Sequence, residues 1–346
     1  MSLTELLLQA RAKKAQQFLF IVGSEPRIKV GSNWTTLRAS PALVTEWNLL
    51  QQSLLSAPQK ALFETQGIIQ GETAIESLRI GFSFFQQETT MKALLNLDIE
   101  GARQDIQIPQ TVLDNALRMK GLMLMTGPGD SGQNWALHRL LQKMGEEKPF
   151  LGVVFSQSTF PQIREDKASF LYHSGSLSEE ESNQLLAGAD VVVFSGLQDE
   201  KSFLQALHLA EQGVFVIYSM SSPTIGNALR RLISALTPKS AHHGAIRLGE
   251  ILSVVMAQYA LPGISGESVY AHEILLMKPQ VRGLLEKQDV RGIEELLASS
   301  AESSGMTSLN QSLLQHLLRR RIDLKTAFEA SHDPDSLDQL LKKVGI

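Results

Sequence analysis

The chain has 346 residues, enough for two domains that each bury a core of their own without a disulfide or a metal staple. Apolar residues make up 43% and charged residues 20%, with 32 basic against 36 acidic side chains, which excludes a disordered or fibrous chain and the broad basic field that nucleic acid or an anionic membrane would need. There is no cysteine, no apolar run near the ~20 residues of a membrane span, and no secretion signal in the amphipathic opening MSLTELLLQARAKK, so the expected compartment is the cytoplasm.

Helical spacing runs from Leu3 to Phe18 and gives way to a short apolar strand at Phe18 to Val22. Arg27 to Val30, followed by Gly31, Ser32, Asn33 and Trp34, predicts two strands around a tight turn. Thr45 to Leu62 has helical period, and Ser77 to Glu100 holds two strands, with Leu78, Ile80, Phe82 and Phe84 alternating in the first. After Ile108 and Pro109 the pattern changes to strand, loop and helix in turn. Strands are expected at Gly121 to Met125, Phe150 to Phe155, Val191 to Phe194 and Val214 to Tyr218, a mostly parallel sheet covered by helices. From Ile274 the pattern is helical, with helices at Gln280 to Lys287, Val290 to Ser299, Leu309 to Arg321 and Asp335 to Val344. The expected division is an α+β domain over residues 1–108 and an α/β domain over 109–346 that closes with helices from about 274.

The segment Gly127, Pro128, Gly129, Asp130, Ser131, Gly132, Gln133, Asn134 follows a strand and opens a helix, the context of a phosphate-binding loop. A working loop ends in lysine and a hydroxyl, because the lysine neutralises the β- and γ-phosphates and the hydroxyl ligates magnesium. Here those positions hold Gln133 and Asn134, and Asp130 adds a negative charge where phosphates would sit.

Along nearly its whole length the order of segments resembles the PilT-type ATPases, the retraction motors of type IV pili and relatives of secretion ATPases. The resemblance rests on SLTELLLQARAKKAQ and GSEPRIKVGSNW near the start, on YAHEILLMKPQVRGLL from Tyr270 to Leu285, and on the turn Gly305, Met306, Thr307, Ser308, Leu309. It implies a PAS-like α+β domain, a RecA-like α/β domain of the P-loop NTPase type with a helical tail, and a hexameric ring. Most of the family's chemistry is missing from the matching positions. Its Asp box falls on Phe155, Ser156 and Gln157, with the later acid at Thr159; its Walker B strand falls on Asp190 to Phe194, ending at Ser195 and Gly196 in place of Gly-Glu; and its His box reads Ser219, Met220, Ser221, Ser222, Pro223, with Ser221 for the histidine. Of the arginines that the family sends across a subunit boundary, the matching strands keep Arg79. Losing lysine, hydroxyl, acids and histidine together removes the means of stabilising a transferring phosphoryl group.

The expectation is therefore a pseudo-ATPase with no cofactor, weak ATP or ADP binding being left open. It would join a homo- or hetero-hexamer with an active PilT-type ATPase and face a pilus or type II-like secretion platform protein at the inner membrane, with no nucleic acid partner. The alternatives are an active or slow ATPase driving pilus retraction, and a sensor that holds a nucleotide on the main-chain amides of Gly129 to Gly132 without hydrolysis. Other polar clusters have structural readings. His272 and Glu273 are neighbours in an extended segment and point to opposite faces; His242 and His243, near Lys239 and Arg247, are expected in a solvated loop and no metal is assigned. Arg319, Arg320 and Arg321 suit a helix end, Glu179, Glu180 and Glu181 after Ser178 suit a helix start, and Phe82, Phe84 and Phe85 are read as packing residues.

Overall fold

A computed structural model describes residues 3–13, 15, 17–30, 33–75, 78–87, 90–97, 106–129, 131–156, 163, 167–174, 186, 188–196, 199–236, 241–300 and 304–345. The chain divides into two compact units, Met1–Asp105 and Ile106–Ile346.

The first unit is a six-stranded antiparallel sheet with helices α1 (Leu3–Ala12), α2 (Val44–Leu54) and α3 (Ala57–Gln66). Its strands are β1 (Gln17–Ile21), β2 (Arg27–Val30), β3 (Asn33–Thr36), β4 (Ile68–Ile75), β5 (Leu78–Gln87) and β6 (Thr90–Leu97), in the order β3-β2-β1-β6-β5-β4. Alternation decides which face is buried: Phe18 and Phe20, Phe82 and Phe84, and Ala93 and Leu95 all turn into one core. Trp47 of α2 centres it, its ring 5.2 Å from Phe84 and 6.3 Å from Phe63. Phe85, on the other face of β5, is 39% exposed, so it is not a core residue of this unit.

Three expectations change here. The first helix stops at Ala12 and Phe18 belongs to β1, because Phe18 and Phe20 pair with Leu95 and Ala93 across the sheet. The single helix expected over 45–62 is two, since Pro58 fits only the first turn of a helix; the chain breaks at Leu55, and the Ser56 N–H donates to Gln59 Oε1 at 2.9 Å to start α3. Strand β4 was not foreseen: it is an edge strand carrying Gln70, Glu72 and Thr73, whose polarity hides the strand pattern.

The second unit is a seven-stranded sheet, in the order Ser268–Leu276 (β13), Leu252–Pro262 (β12), Leu122–Thr126 (β7), Phe215–Ser219 (β11), Val191–Ser195 (β10), Leu151–Ser156 (β8) and Ser169–Ser174 (β9). Strands β7 (Leu122–Thr126), β8 (Leu151–Ser156), β10 (Val191–Ser195) and β11 (Phe215–Ser219) are parallel, and all but one of their residues are buried, which is why they read as unbroken apolar runs. Leu122 and Leu124 face one core, shared with helices α6 (Glu200–Glu211), α7 (Ile225–Ala235) and α8 (Ala241–Ile251). Met123 and Met125 face the other, with α4 (Gln110–Ala116) and α5 (Gln133–Glu147).

Strands β9 (Ser169–Ser174), parallel to β8, and β12 (Leu252–Pro262) were missed, while β13 (Ser268–Leu276), antiparallel to β12, is the extended segment expected around His272 and Glu273 and runs past Ile274, where helix was expected. An eleven-residue apolar run such as β12 suits helix or strand equally by period, and pairing with β7 settles it. The helical tail accordingly begins after β13, at Pro279: α9 (Pro279–Glu286), α10 (Val290–Ala298), α11 (Leu309–Leu318), α12 (Leu324–Ala330) and α13 (Pro334–Lys343), of which α12 was unforeseen. His242 and His243 lie in α8 and not in a loop, because Ala245 and Leu248 give that segment a buried face, while its Arg247 pairs with Glu211 at 2.7 Å. Glu179, Glu180, Glu181 and Lys239 lie outside the described residues.

The start of α6 offers a check on the local reading. Asp199 Oδ1 accepts the Ser202 N–H at 2.9 Å as N-cap, so Asp199→Ala is expected to lower unfolding free energy by about 1 kcal/mol. Urea denaturation would measure it, and a loss near zero would refute the cap.

Candidate functional site

The parallel strands end together on one side of the second sheet, where ligands of open α/β sheets bind. There the loop 127–132 leaves β7 and enters α5, next to the ends of β11 and β10. Gly127 has φ +149°, and its carbonyl accepts the Ser222 N–H at 2.9 Å, tying the loop to the segment after β11. Gly132 has φ +78° and caps α5. Both dihedrals are open to glycine at little cost. Asp130 lies outside the described residues.

The side chains of Gln133 and Asn134 are both engaged within the protein. Gln133 Nε2 donates to the Gly127 carbonyl at 2.9 Å and to the Met220 carbonyl at 3.3 Å, so both amide protons are engaged in holding the loop against β11. Asn134 Oδ1 accepts from Ser195 Oγ at 2.9 Å. The residue expected at the magnesium-hydroxyl position is thus bonded to the residue expected at the Walker B ending. Among the described residues of the loop and the strand ends beside it (127–129, 131–134, 155–156, 195–196 and 219–222) none is charged. Arg231 reaches the same region from α7 and donates to the Ser221 carbonyl at 2.7 Å.

The other sites named from the sequence fall as follows. Phe155 is buried and stacks on Phe194, ring centres 5.3 Å apart, while Ser156 is buried at the end of β8. Gln157 and Thr159 lie outside the described residues, as does the side chain of Arg79, which sits on β5 opposite Ala74. Asp190 stands at the far, entry end of β10, where its carboxylate accepts the Leu151 N–H at 2.9 Å; it joins two strands and does not meet the loop. Gly196 follows β10 with φ +73° and donates its N–H to the Ser219 carbonyl. Among the described residues no cluster of side chains could hold a metal ion.

Two features escaped the sequence reading. Beneath the loop, Gln258 of β12 is fully buried and donates from Nε2 to the Ser131 carbonyl at 2.7 Å. Its Oε1 is left to accept from His272 Nε2 at 3.1 Å, which sets the protonated nitrogen of that ring. Burial, and then the nearby His316, hold the His272 pKa down at about 4, so the ring is neutral. On the opposite face of β13, the Glu273 carboxyl accepts the N–H groups of Ile225 and Leu309, the first residues of α7 and α11. Burial pushes its pKa up to about 7 against the pull of those donors and of the Tyr259 hydroxyl. Only the pairing of β12 with β7 and β13 brings these residues under the loop and helix ends.

No known protein-family model matches the chain. Among curated proteins it is 25% identical to a twitching motility protein of Neisseria gonorrhoeae over 224 residues, 63% of this chain and 59% of that one. It is 23% identical to the type IV pilus retraction ATPase PilT of Pseudomonas aeruginosa over 223 residues, 63% and 64% of the two chains. The matched region thus spans about three-fifths of those relatives. Among solved structures, the pilus retraction motor PilT with bound ADP superposes with a TM-score of 0.81 over 98% of this chain and 99% of that one at 21% identity. The ATPase DotB of Legionella pneumophila superposes with a TM-score of 0.79 over 94% and 93% of the chains at 13% identity. The α/β fold with a β-rich first domain and a helical tail is that of these proteins.

Proposed function

We propose that this relative of the PilT-type pilus retraction ATPases is a non-catalytic subunit of a type IV pilus or type II-like secretion motor. The observation that carries the reading is the double bond of Gln133 to the Gly127 and Met220 carbonyls. A lysine at that position points its charge at the β- and γ-phosphates. The glutamine points two donors at the protein's own main chain. With Asn134 bonded to Ser195, neither position offers charge to a nucleotide or an anionic ligand to magnesium. Strands, loop register and tail helices, which build the fold, are kept.

On this reading the protein takes a place in a homo- or hetero-hexameric ring with an active PilT-type ATPase, against a pilus or secretion platform protein at the inner face of the membrane. It has a structural or regulatory task there. No helix among the described residues is long and apolar enough to cross a membrane.

Titration calorimetry with Mg·ATP and Mg·ADP, together with phosphate release on the same sample, tests the reading; neither heat of binding nor release is expected. Gln133→Lys alone is expected to stay without turnover, because no acid stands at Ser195 or Gly196 to help activate water. Release by the unaltered protein overturns the proposal, and release by the single variant shows that the other substitutions matter less than argued.

A further inference from the structure

At the other end of the same sheet, where β7 and β12 begin and β13 ends, a cavity of about 540 Å³ lies among Gly121, Leu252 and Leu276. Strand β7 separates it from the loop by five residues, roughly 15 Å. Four cationic side chains line it, Arg118, Lys120, Lys278 and Arg282, against the single acid Glu250. Lys278 Nζ donates to the Ser304 carbonyl at 2.6 Å, whereas Arg118, Lys120 and Arg282 have no side-chain partner among the described residues. Elsewhere in this unit Arg230 pairs with Glu294, Arg247 with Glu211 and Arg291 with Glu295, while the exposed Arg319 and Arg320 at the end of α11 have no salt bridge among the described residues.

The backbone holds the first two cations in place. Arg118 and Lys120 flank Met119, which has φ +50°, a left-handed conformation that is strained for a non-glycine residue. Gly121 follows with φ +74°, and a Cβ there would collide with the Ile251 carbonyl, so the turn lies tight against the end of α8. Like charges gathered at one cavity repel each other until an anion neutralises them. Arginine forks match phosphoryl oxygens in pairs. Ile251, Leu252 and Met277 give the rest of the wall an apolar part, beside the polar Asn115 and Ser253, and the volume is that of a small-molecule site.

We infer that this cavity binds a small phosphorylated molecule, its phosphoryl group between Arg118, Lys120 and Arg282 and its less polar body against Leu252 and Met277. The site stands apart from the loop and holds whether or not the loop takes a nucleotide.

Phenyl phosphate is the probe, with phenol as the uncharged control and calorimetry on the full chain as the measurement. Saturable binding of phenyl phosphate and none of phenol is expected. The double variant Arg118→Gln, Arg282→Gln should bind at least tenfold more weakly, Arg118→Lys with Arg282→Lys, which keeps the charge and loses the forks, should bind more weakly than the native protein and more tightly than the glutamine pair, and Gln133→Ala should leave the affinity unchanged. Absence of saturable binding, equal affinity in the glutamine double variant, or loss in Gln133→Ala overturns the inference. Binding of a hexaglutamate peptide where phenyl phosphate fails overturns it in favour of an acidic protein segment.

Discussion

Gly127→Ala is expected to lower the unfolding free energy of the second unit by about 3–5 kcal/mol, the sum of a left-handed backbone imposed on alanine and a collision that must be relieved. Gly127 holds φ +149°, and a Cβ there would run into the Gln258 carbonyl with Ser131 Oγ and Gln133 Nε2 close by. Gln133 Nε2 locks the loop and the Gln258 carbonyl is main chain of β12, so relief means breaking the Gln133 bonds or moving β12. Gly129 supplies the internal control. Nothing lies within 4 Å of a Cβ there and its φ is not positive, so Gly129→Ala should change stability by less than about 0.5 kcal/mol. Guanidinium denaturation of both variants decides: equal stabilities would mean that the loop is not held as described.

The second large effect is a pH dependence that the native protein conceals. The folded pKa of Glu273 lies at about 7 against an ordinary 4.5, so its contribution is complete below pH 4.5 and disappears as pH rises to 7. The folded pKa of His272 lies at about 4 against 6.5, so its contribution is complete above pH 6.5 and disappears as pH falls to 4. Each spans about 3 kcal/mol, with opposite slopes over the shared window between pH 4.5 and 6.5, and they nearly cancel there. Glu273→Gln removes the first term, so stability should fall by about 3 kcal/mol more than in the native protein on acidification from pH 6.5 to 4.5. His272→Gln, which keeps a donor for Gln258, should show the reverse and grow more stable as pH falls from 7 to 4.5. His316 and His332, also held below the usual range chiefly by burial, titrate in all three proteins and drop out of the comparison. Parallel stability curves for the three proteins from pH 4.5 to 7.5 would refute the opposed pair.

Much of the site could be read before any coordinates. The glycine loop after a strand, the serines at the strand ends beside it, and the uncharged Gln133 and Asn134 are local facts of residue type and order. What they touch was not legible. Gln133 and Met220 stand 87 residues apart, Asn134 and Ser195 61, and Gln258 and Ser131 127. A neutral amide carries no charge to announce its partner, so its role depends wholly on where the chain places it. Gln258 in particular sits in an apolar run that gives no functional signal.

By itself the sequence determined the central parallel strands, because residues buried on both sides must be apolar without interruption, as in Val191–Phe194. It determined the start of the loop and of most tail helices, through glycine, proline and capping residues that act within a few positions. The tertiary structure alone decided the edge strands β4 and β9, half-polar segments that take their state from the neighbour they pair with. It alone decided that Gln133 and Gln258 each bond the loop's main chain and that His272 bonds Gln258, since hydrogen bonds between distant residues exist only once the β7, β11, β12 and β13 register is set.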